Sequence, residues 1–227
     1  ILKDKYSKVI NIKPLKITHQ EKFKKTINSM KEGFDVIRGG YLVHEDWLGE
    51  FDFLIKVKNS KSKLGDYSYE VIDTKNSLKI KVDHVIQVAM YSYLLEQVQG
   101  ILPDNFHIVL RTLEVETVPI KYVNEFFKYN KNKYEHFLKK DVEKVKPEKC
   151  NFCNLCDWSE TCEDIWIKED NLNQVGGINK NYIKKLKAHG IKTLTQLSKL
   201  KETEKVKDIK PQVIKKLITQ AKLQKEY

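Results

Sequence analysis

Asp73 and Lys75 stand two residues apart in the run YSYEVIDTK (67–75). On an extended strand, residues at that spacing share one face. Asp52 lies in the preceding apolar run, three residues after Gly49. Two carboxylates and a lysine converging on one sheet edge suit metal-dependent phosphodiester hydrolysis. The carboxylates can hold a hard divalent cation through oxygen. The cation polarises the phosphate and generates hydroxide from bound water. The lysine orients that water and offsets charge building on the phosphate. Gln87 and Tyr91 follow, four residues apart, a helical spacing that puts both on one face. A second chemistry lies further on. All four cysteines of the chain fall within thirteen positions, Cys150, Cys153, Cys156 and Cys162. A disulfide framework spreads its cysteines, whereas this clustering points to a metal or iron–sulfur centre in a reducing compartment.

The surrounding pattern supplies the elements that must position these groups. Apolar Phe23, Ile27 and Met30 predict a helix over 20–32. Gly39-Gly40 is expected to break the chain. YLVHEDWLGEFDFLIKV reads as a hairpin turning at His44–Asp46, and NSKSKLGD (59–66) as a solvated loop. A strand over 67–75, a helix over 81–99, two short strands over 105–120 and a long basic helix from Val123 to about Val145 complete the first part. Helices packed around one mixed sheet make an α/β layer architecture.

QVGGINKNYIKKLKAHGIKTLTQL (174–197) reads as a helix-hairpin-helix. Gly176 and Gly177 permit a tight turn whose N–H groups can take a phosphate. Lys180, Lys184, Lys185 and Lys187 are placed to meet a nucleic-acid backbone without reading sequence. KDIKPQVIKKLITQAKLQ (207–224) is expected to be a degenerate second copy, with Lys210-Pro211 in the glycine position.

Composition agrees with a nucleic-acid partner. There are 42 Lys and Arg against 31 Asp and Glu, a formal charge of +11, which favours a polyanion over a membrane surface. No apolar run approaches the ~18–20 residues of a membrane span. The start, ILKDKYSKVI, lacks the charged-then-apolar pattern of a secretory signal. It opens on Ile1 rather than Met, as expected of a piece of a longer protein in a cytoplasmic, nucleoid or nuclear compartment.

GEFD (49–52), YEVIDTK (69–75) and QVAMYSYLLE (87–96) resemble the motifs of RecB-family nucleases of the PD-(D/E)XK superfamily. That pattern is G-x-x-D, an apolar strand ending D-x-K, then Q-x-x-x-Y on the next helix. The resemblance implies a PD-(D/E)XK restriction-endonuclease-like core over 1–148, a cysteine segment over 149–168 and a tandem helix-hairpin-helix module over 169–227. It implies that Asp52 and Asp73 bind Mg²⁺ or Mn²⁺, that Lys75 is catalytic, and that Gln87 and Tyr91 support the site and contact DNA. Cys153, Cys156 and Cys162 resemble the C-x2-C-x5-C trio of the iron–sulfur members. There a fourth cysteine lies upstream; here Cys150 takes that place or the upstream residue is missing. The resemblance favours a structural 4Fe-4S cluster over Zn²⁺, with Trp158 packed over it. It also implies a helix upstream of the motifs carrying a His or Glu, which this chain is expected to lack. His19 and His44 are candidates by type only, His44 as a turn residue, while His84 is placed to line the site. The expected activity is a DNA nuclease acting on single strands or ends, fused to or associated with a helicase or exonuclease domain. The alternative is a non-catalytic DNA-gripping module of a helicase–nuclease assembly.

Overall fold

The structure, a computed structural model, describes residues 6–141 and 145–226. The chain divides into two compact units, Ile1–Lys139 and Lys140–Tyr227. The cysteine segment thus belongs to the same unit as the residues that follow it.

The first unit is α/β. Its elements in chain order are β1 (Val9–Asn11), α1 (His19–Lys31), β2 (Val36–His44), β3 (Trp47–Ser62), β4 (Gly65–Thr74), α2 (Val82–Gln99), β5 (Asn105–Val109), β6 (Val115–Pro119) and, after a short 3-10 turn, α3 (Asn124–Leu138). The six strands form one mixed sheet in sequence order. β2, β3 and β4 run as an antiparallel meander. β1 joins β2 in parallel, and the α2 crossover brings β5 parallel to β4.

Local chemistry explains the helices. Thr18 and Glu21 form a reciprocal capping box that starts α1. Gly100, in the left-handed region at φ 77°, ends α2 by donating its N–H to the Glu96 carbonyl. The buried side chain of Gln99 clamps the end of α2 to β4, accepting from the Tyr69 N–H at 2.8 Å and donating to the Tyr69 carbonyl at 3.3 Å. Tyr69 is itself fully buried, and its hydroxyl donates to the Phe34 carbonyl at 2.6 Å. These bonds satisfy the polar groups of a core built on Ile37, Leu54, Val71, Leu94, Leu95 and Phe106.

Three expectations need correction here. Gly39-Gly40 does not break the chain but lies inside β2. Gly39 takes φ 62°, and a side chain on Gly40 would come within 2.4 Å of Thr26 Oγ1, so the pair lets α1 close onto the strand. The polar stretch 59–66 is no open loop either; β3 runs through to Ser62 and β4 restarts at Gly65. The basic helix stops at Leu138, short of Val145, and residues 142–144 lie outside the described residues.

The second unit is helical: a 3-10 turn at Cys153–Leu155, α4 (Ser159–Lys168), another at Leu172–Gln174, then α5 (Lys180–Ala188), α6 (Leu194–Ser198) and α7 (Pro211–Glu226). Its core is Leu172, Val175, Leu186, Leu197, Ile214 and Ile218 with their neighbours. Two turns of the same kind occur in this unit, the second in a different register from the one expected. Val175-Gly176-Gly177-Ile178 and Val206-Lys207-Asp208-Ile209 make the same turn, with Ile178 N–H on the Val175 carbonyl and Ile209 N–H on the Val206 carbonyl, both at 3.1 Å. Asp208 at φ 63° stands where Gly177 takes φ 74°. Lys210-Pro211 therefore matches Asn179-Lys180, the cap and first residue of the helix, where proline's fixed φ is favourable. Aspartate tolerates the left-handed region better than most residues, which explains how the second copy dispenses with glycine.

Trp158, expected over the thiols, is exposed. Trp166 is the buried tryptophan, donating its ring N–H to the Pro147 carbonyl at 3.0 Å. Among the described residues no helix is long and apolar enough to cross a membrane.

Candidate active site and thiol cluster

The chemistry-bearing residues meet where β3 and β4 leave the core. Along β3, Phe51 and Leu54 are both buried, so strand alternation slips between them. Opposite the slip, Arg38 pairs with Phe53 and Gly40 with Phe51, while Gly39 and Asp52 stand outside the ladder. This kink leaves the Asp52 carboxylate at the mouth of the site. There Oδ2 accepts the Thr74 N–H at 2.9 Å and the Thr74 hydroxyl at 2.5 Å. Lys13 Nζ lies 3.7 Å from its other oxygen.

Asp73 is on the last turn of the β4 ladder, opposite Ile108 of β5. Lys75 falls just beyond the strand, but its N–H still bonds the Val109 carbonyl at 2.8 Å. Its ammonium lies 2.6 Å from Asp73 Oδ2 and donates to Gln87 Oε1 at 2.5 Å. Gln87 in turn donates through Nε2 to the Tyr91 hydroxyl at 2.6 Å. The Tyr91 ring closes over Gly49, whose missing side chain makes the room: a Cβ there would sit 2.6 Å from Tyr91 Cδ1. All five residues singled out from spacing are thus brought into one connected site. Thr74 and Lys13, which no spacing rule marks, complete it.

The two carboxylates are held differently. For Asp52, burial works to raise the carboxyl, but the two Thr74 hydrogen bonds, with Lys13 and Lys75, outweigh it and keep the group below the usual range. For Asp73, 4% exposed, burial dominates and raises the carboxyl; Lys75 only partly offsets it, and the Asp52 charge adds to the rise. Burial likewise raises the Tyr91 phenol, with the nearby carboxylates adding to the effect. Asp73 Oδ2 is buried, and the partner it meets among the described residues is the Lys75 ammonium at 2.6 Å. Two neighbouring carboxylates, one buried and one at the site mouth, are a donor set that suits a hard divalent cation.

A stability consequence follows from the sign of the Asp73 shift. A carboxyl raised in the folded state costs stability once the pH exceeds its ordinary value of 3.8. Asp73→Asn is therefore expected to raise the melting temperature at neutral pH. The gain should vanish as pH falls through the raised value towards 3.8. Melting curves of both proteins across pH check this, and a lower melting temperature for Asp73→Asn at neutral pH would contradict it.

The histidines divide. His84 is buried at the start of α2, where Nδ1 accepts the Lys81 N–H at 3.3 Å, and its charged form favours the Asp73 carboxylate. His44 sits at the hairpin turn, edge-on to Tyr93 at 6.0 Å. His19 opens α1 and stacks on Tyr41 at 4.7 Å. Helix α1 does lie upstream of the motif strands and packs on β2.

In the second unit, Cys150 Sγ and Cys153 Sγ are 3.9 Å apart, and the Cys150 N–H points at Cys153 Sγ at 3.2 Å. Two thiolates on one tetrahedral ion with ~2.3 Å bonds would stand at about this distance. Burial, with Cys156 and Cys153 nearby, pushes the Cys162 thiol up. Among the described residues no three His, Cys, Asp or Glu side chains form a group able to hold a metal ion, at the thiols or at the carboxylates.

The expected phosphate contacts are partly spoken for. The Gly176 N–H bonds Gln224 Oε1 at 2.9 Å. Lys180 pairs with Glu148, and Lys185 donates to the Asp208 carbonyl at 2.6 Å. Gly177 has open space over its α-carbon, and Lys184 is exposed.

Comparison with protein-family models matches none of them, and comparison with curated proteins finds no match.

Proposed function

We propose that the first unit is a divalent-metal-dependent DNA nuclease with a PD-(D/E)XK core, acting on single strands or ends. One observation carries the reading: Asp52, Asp73, Lys75, Gln87 and Tyr91 join in one site in which the buried Asp73 carboxylate faces the Lys75 ammonium and a second carboxylate stands at the mouth. Asp52 and Asp73 would hold Mg²⁺ or Mn²⁺. Such an ion commonly takes only one or two carboxylates, leaving water and substrate phosphate to fill its shell. That accounts for a site without a third protein ligand. When bound, it supplies a water acidic enough to attack and polarises the phosphate.

The chain's own residues do the rest. Lys75 presents an ammonium fixed from two sides, by Asp73 and by Gln87, so it meets developing phosphate charge without reorganising. Gln87 sets the Lys75 orientation, and Tyr91 sets Gln87. Thr74 holds Asp52 ionised at the mouth. On this reading helix α1, with His19 at its first residue, would serve as the upstream helix of the family pattern. The thiols are assigned to a structural centre, a 4Fe-4S cluster ahead of Zn²⁺, and the second unit to a backbone grip through the Gly177 turn.

The second reading, a DNA-gripping module without catalysis, draws on the lack of a third ligand beside the two carboxylates among the described residues. The test is a cleavage assay on labelled single-stranded and duplex DNA with Mg²⁺, with Mn²⁺ and in EDTA. Metal-dependent fragments support the nuclease. Binding without cleavage in any metal, by protein carrying its full complement of iron, sulfide or zinc, assigns the module instead.

A further inference from the structure

α3 carries an outward row of rings that the fold does not use. Phe127 points inward, buried, with its ring 5.8 Å from Tyr93 of α2. Phe126 and Tyr129 turn away from the core and are 51% and 65% exposed; Tyr122, in the preceding 3-10 turn, is 74% exposed. Lys133 is exposed one turn beyond Tyr129. Positions 126, 129 and 133 are spaced to share one helix face. Rings in this number are rarely left in water without a partner.

Charge decides what the partner is. From residue 121 to 139 there are five lysines and two glutamates. Both acids are already paired: Glu125 with Lys128 at 3.1 Å, and Glu135 with Lys131 at 2.6 Å and the Trp47 ring N–H at 2.9 Å. Lys121 lies 5.1 Å over the Tyr122 ring. A second copy of this surface would bring lysine against lysine. A single-stranded nucleic acid offers base faces to the rings and phosphates to the lysines. A duplex hides its base faces. The helix that carries the row ends against Trp47 through Tyr134 and Glu135, on the strand that two residues later holds Gly49 beneath Tyr91.

We infer that the exposed face of α3, through Tyr122, Phe126, Tyr129 and Lys133, binds single-stranded nucleic acid by base stacking and leads it to the Asp52–Asp73 edge. This deepens the nuclease reading and rests on it only for the destination of the strand. The test is binding of fluorescein-labelled oligo-dT, and of a matched duplex, to the full chain in EDTA, where no cleavage occurs. The Phe126→Ala/Tyr129→Ala double variant is expected to bind oligo-dT about tenfold or more weakly, with duplex affinity unchanged. Tyr129→Trp, which keeps a stacking ring, is expected to keep oligo-dT affinity. Lys133→Gln should reduce the salt slope for oligo-dT by about 0.7. Unchanged oligo-dT affinity in the double variant overturns the inference. So does an equal loss on duplex. A changed sedimentation mass with oligo-dT affinity intact also overturns it, assigning the face to self-association. Cleavage that depends on Lys75 is scored separately, so either reading can fail without the other.

Discussion

Lys75→Ala is expected to lower the metal-dependent cleavage rate by on the order of 10²–10³-fold, the usual loss when one preorganised charge donor is removed from a reacting site. The ammonium is held at 2.6 Å by Asp73 and at 2.5 Å by Gln87, so no neighbouring side chain can replace it. Lys75→Arg should not restore the rate. A planar guanidinium cannot occupy the same point between a carboxylate and an amide oxygen. Affinity for DNA should change little, because a single phosphate contact is a small part of a grip spread over a chain of charge +11. The variant should remain folded, since Asp73, already raised by burial, can answer the loss of its cation by taking up a proton. Rates and affinities measured on the same preparation check this. A rate within about twofold of the parent would remove Lys75 from the chemistry, because a twofold change is far smaller than the 10²–10³-fold loss of one such donor.

Gly49→Ala has the second-largest expected effect, and acts without touching a reacting group. Its Cβ would lie 2.6 Å from Tyr91 Cδ1, 2.9 Å from Cε1 and 3.1 Å from Leu94 Cδ1. Tyr91 has no room to withdraw, being buried on α2 with its hydroxyl bound to Gln87. Overpacking of this kind costs about 1–3 kcal/mol. The larger consequence is for geometry. Moving Tyr91 releases Gln87, and with it the orientation of Lys75, and a misplacement near 1 Å costs on the order of 10²-fold in rate. The double variant Gly49→Ala/Tyr91→Leu tests the cause. It should recover stability relative to Gly49→Ala alone, because the clash is gone, and still cleave slowly, because the hydroxyl is gone. Such non-additivity is the mark of residues in contact. If the double variant is no more stable than the single one, the cost lies elsewhere than the Tyr91 ring.

The residues of the site were legible because their spacing matches the period of the element that carries them. Asp73 and Lys75 obey the two-residue period of a strand, and Gln87 and Tyr91 the four-residue period of a helix. Asp52 was harder to place. It sits where alternation slips by one residue, and the device opposite it, Gly39 at φ 62°, reads in sequence as a chain break rather than a kink within a strand. Thr74 was hidden for a similar reason, since it holds Asp52 through its own N–H as well as its hydroxyl. The polar composition of 59–66 reads as a loop because one apolar residue, Leu64, packs on the core, and the segment is also held through backbone, Lys63 N–H on the Gln99 carbonyl at 2.8 Å. Trp158 and Trp166 differ only in which one tertiary packing encloses. The second turn is hidden in sequence because it carries no glycine; its backbone requires only a left-handed residue, and Asp208 supplies it. The fold class and element order, by contrast, follow from apolar periodicity alone, apart from the three-residue strand β1, too short to show a period.

The proposed function requires the Asp73–Lys75 pair to perform metal-dependent cleavage of DNA. The most direct test is the single-turnover cleavage rate of the full chain on labelled single-stranded DNA in Mg²⁺ or Mn²⁺, with Asp73→Ala and Lys75→Ala prepared in parallel and DNA binding measured on each. The parent chain is expected to cleave, both variants to lose cleavage, and all three to retain binding. Cleavage unchanged in both variants would contradict the proposed function, whatever the metal supplied.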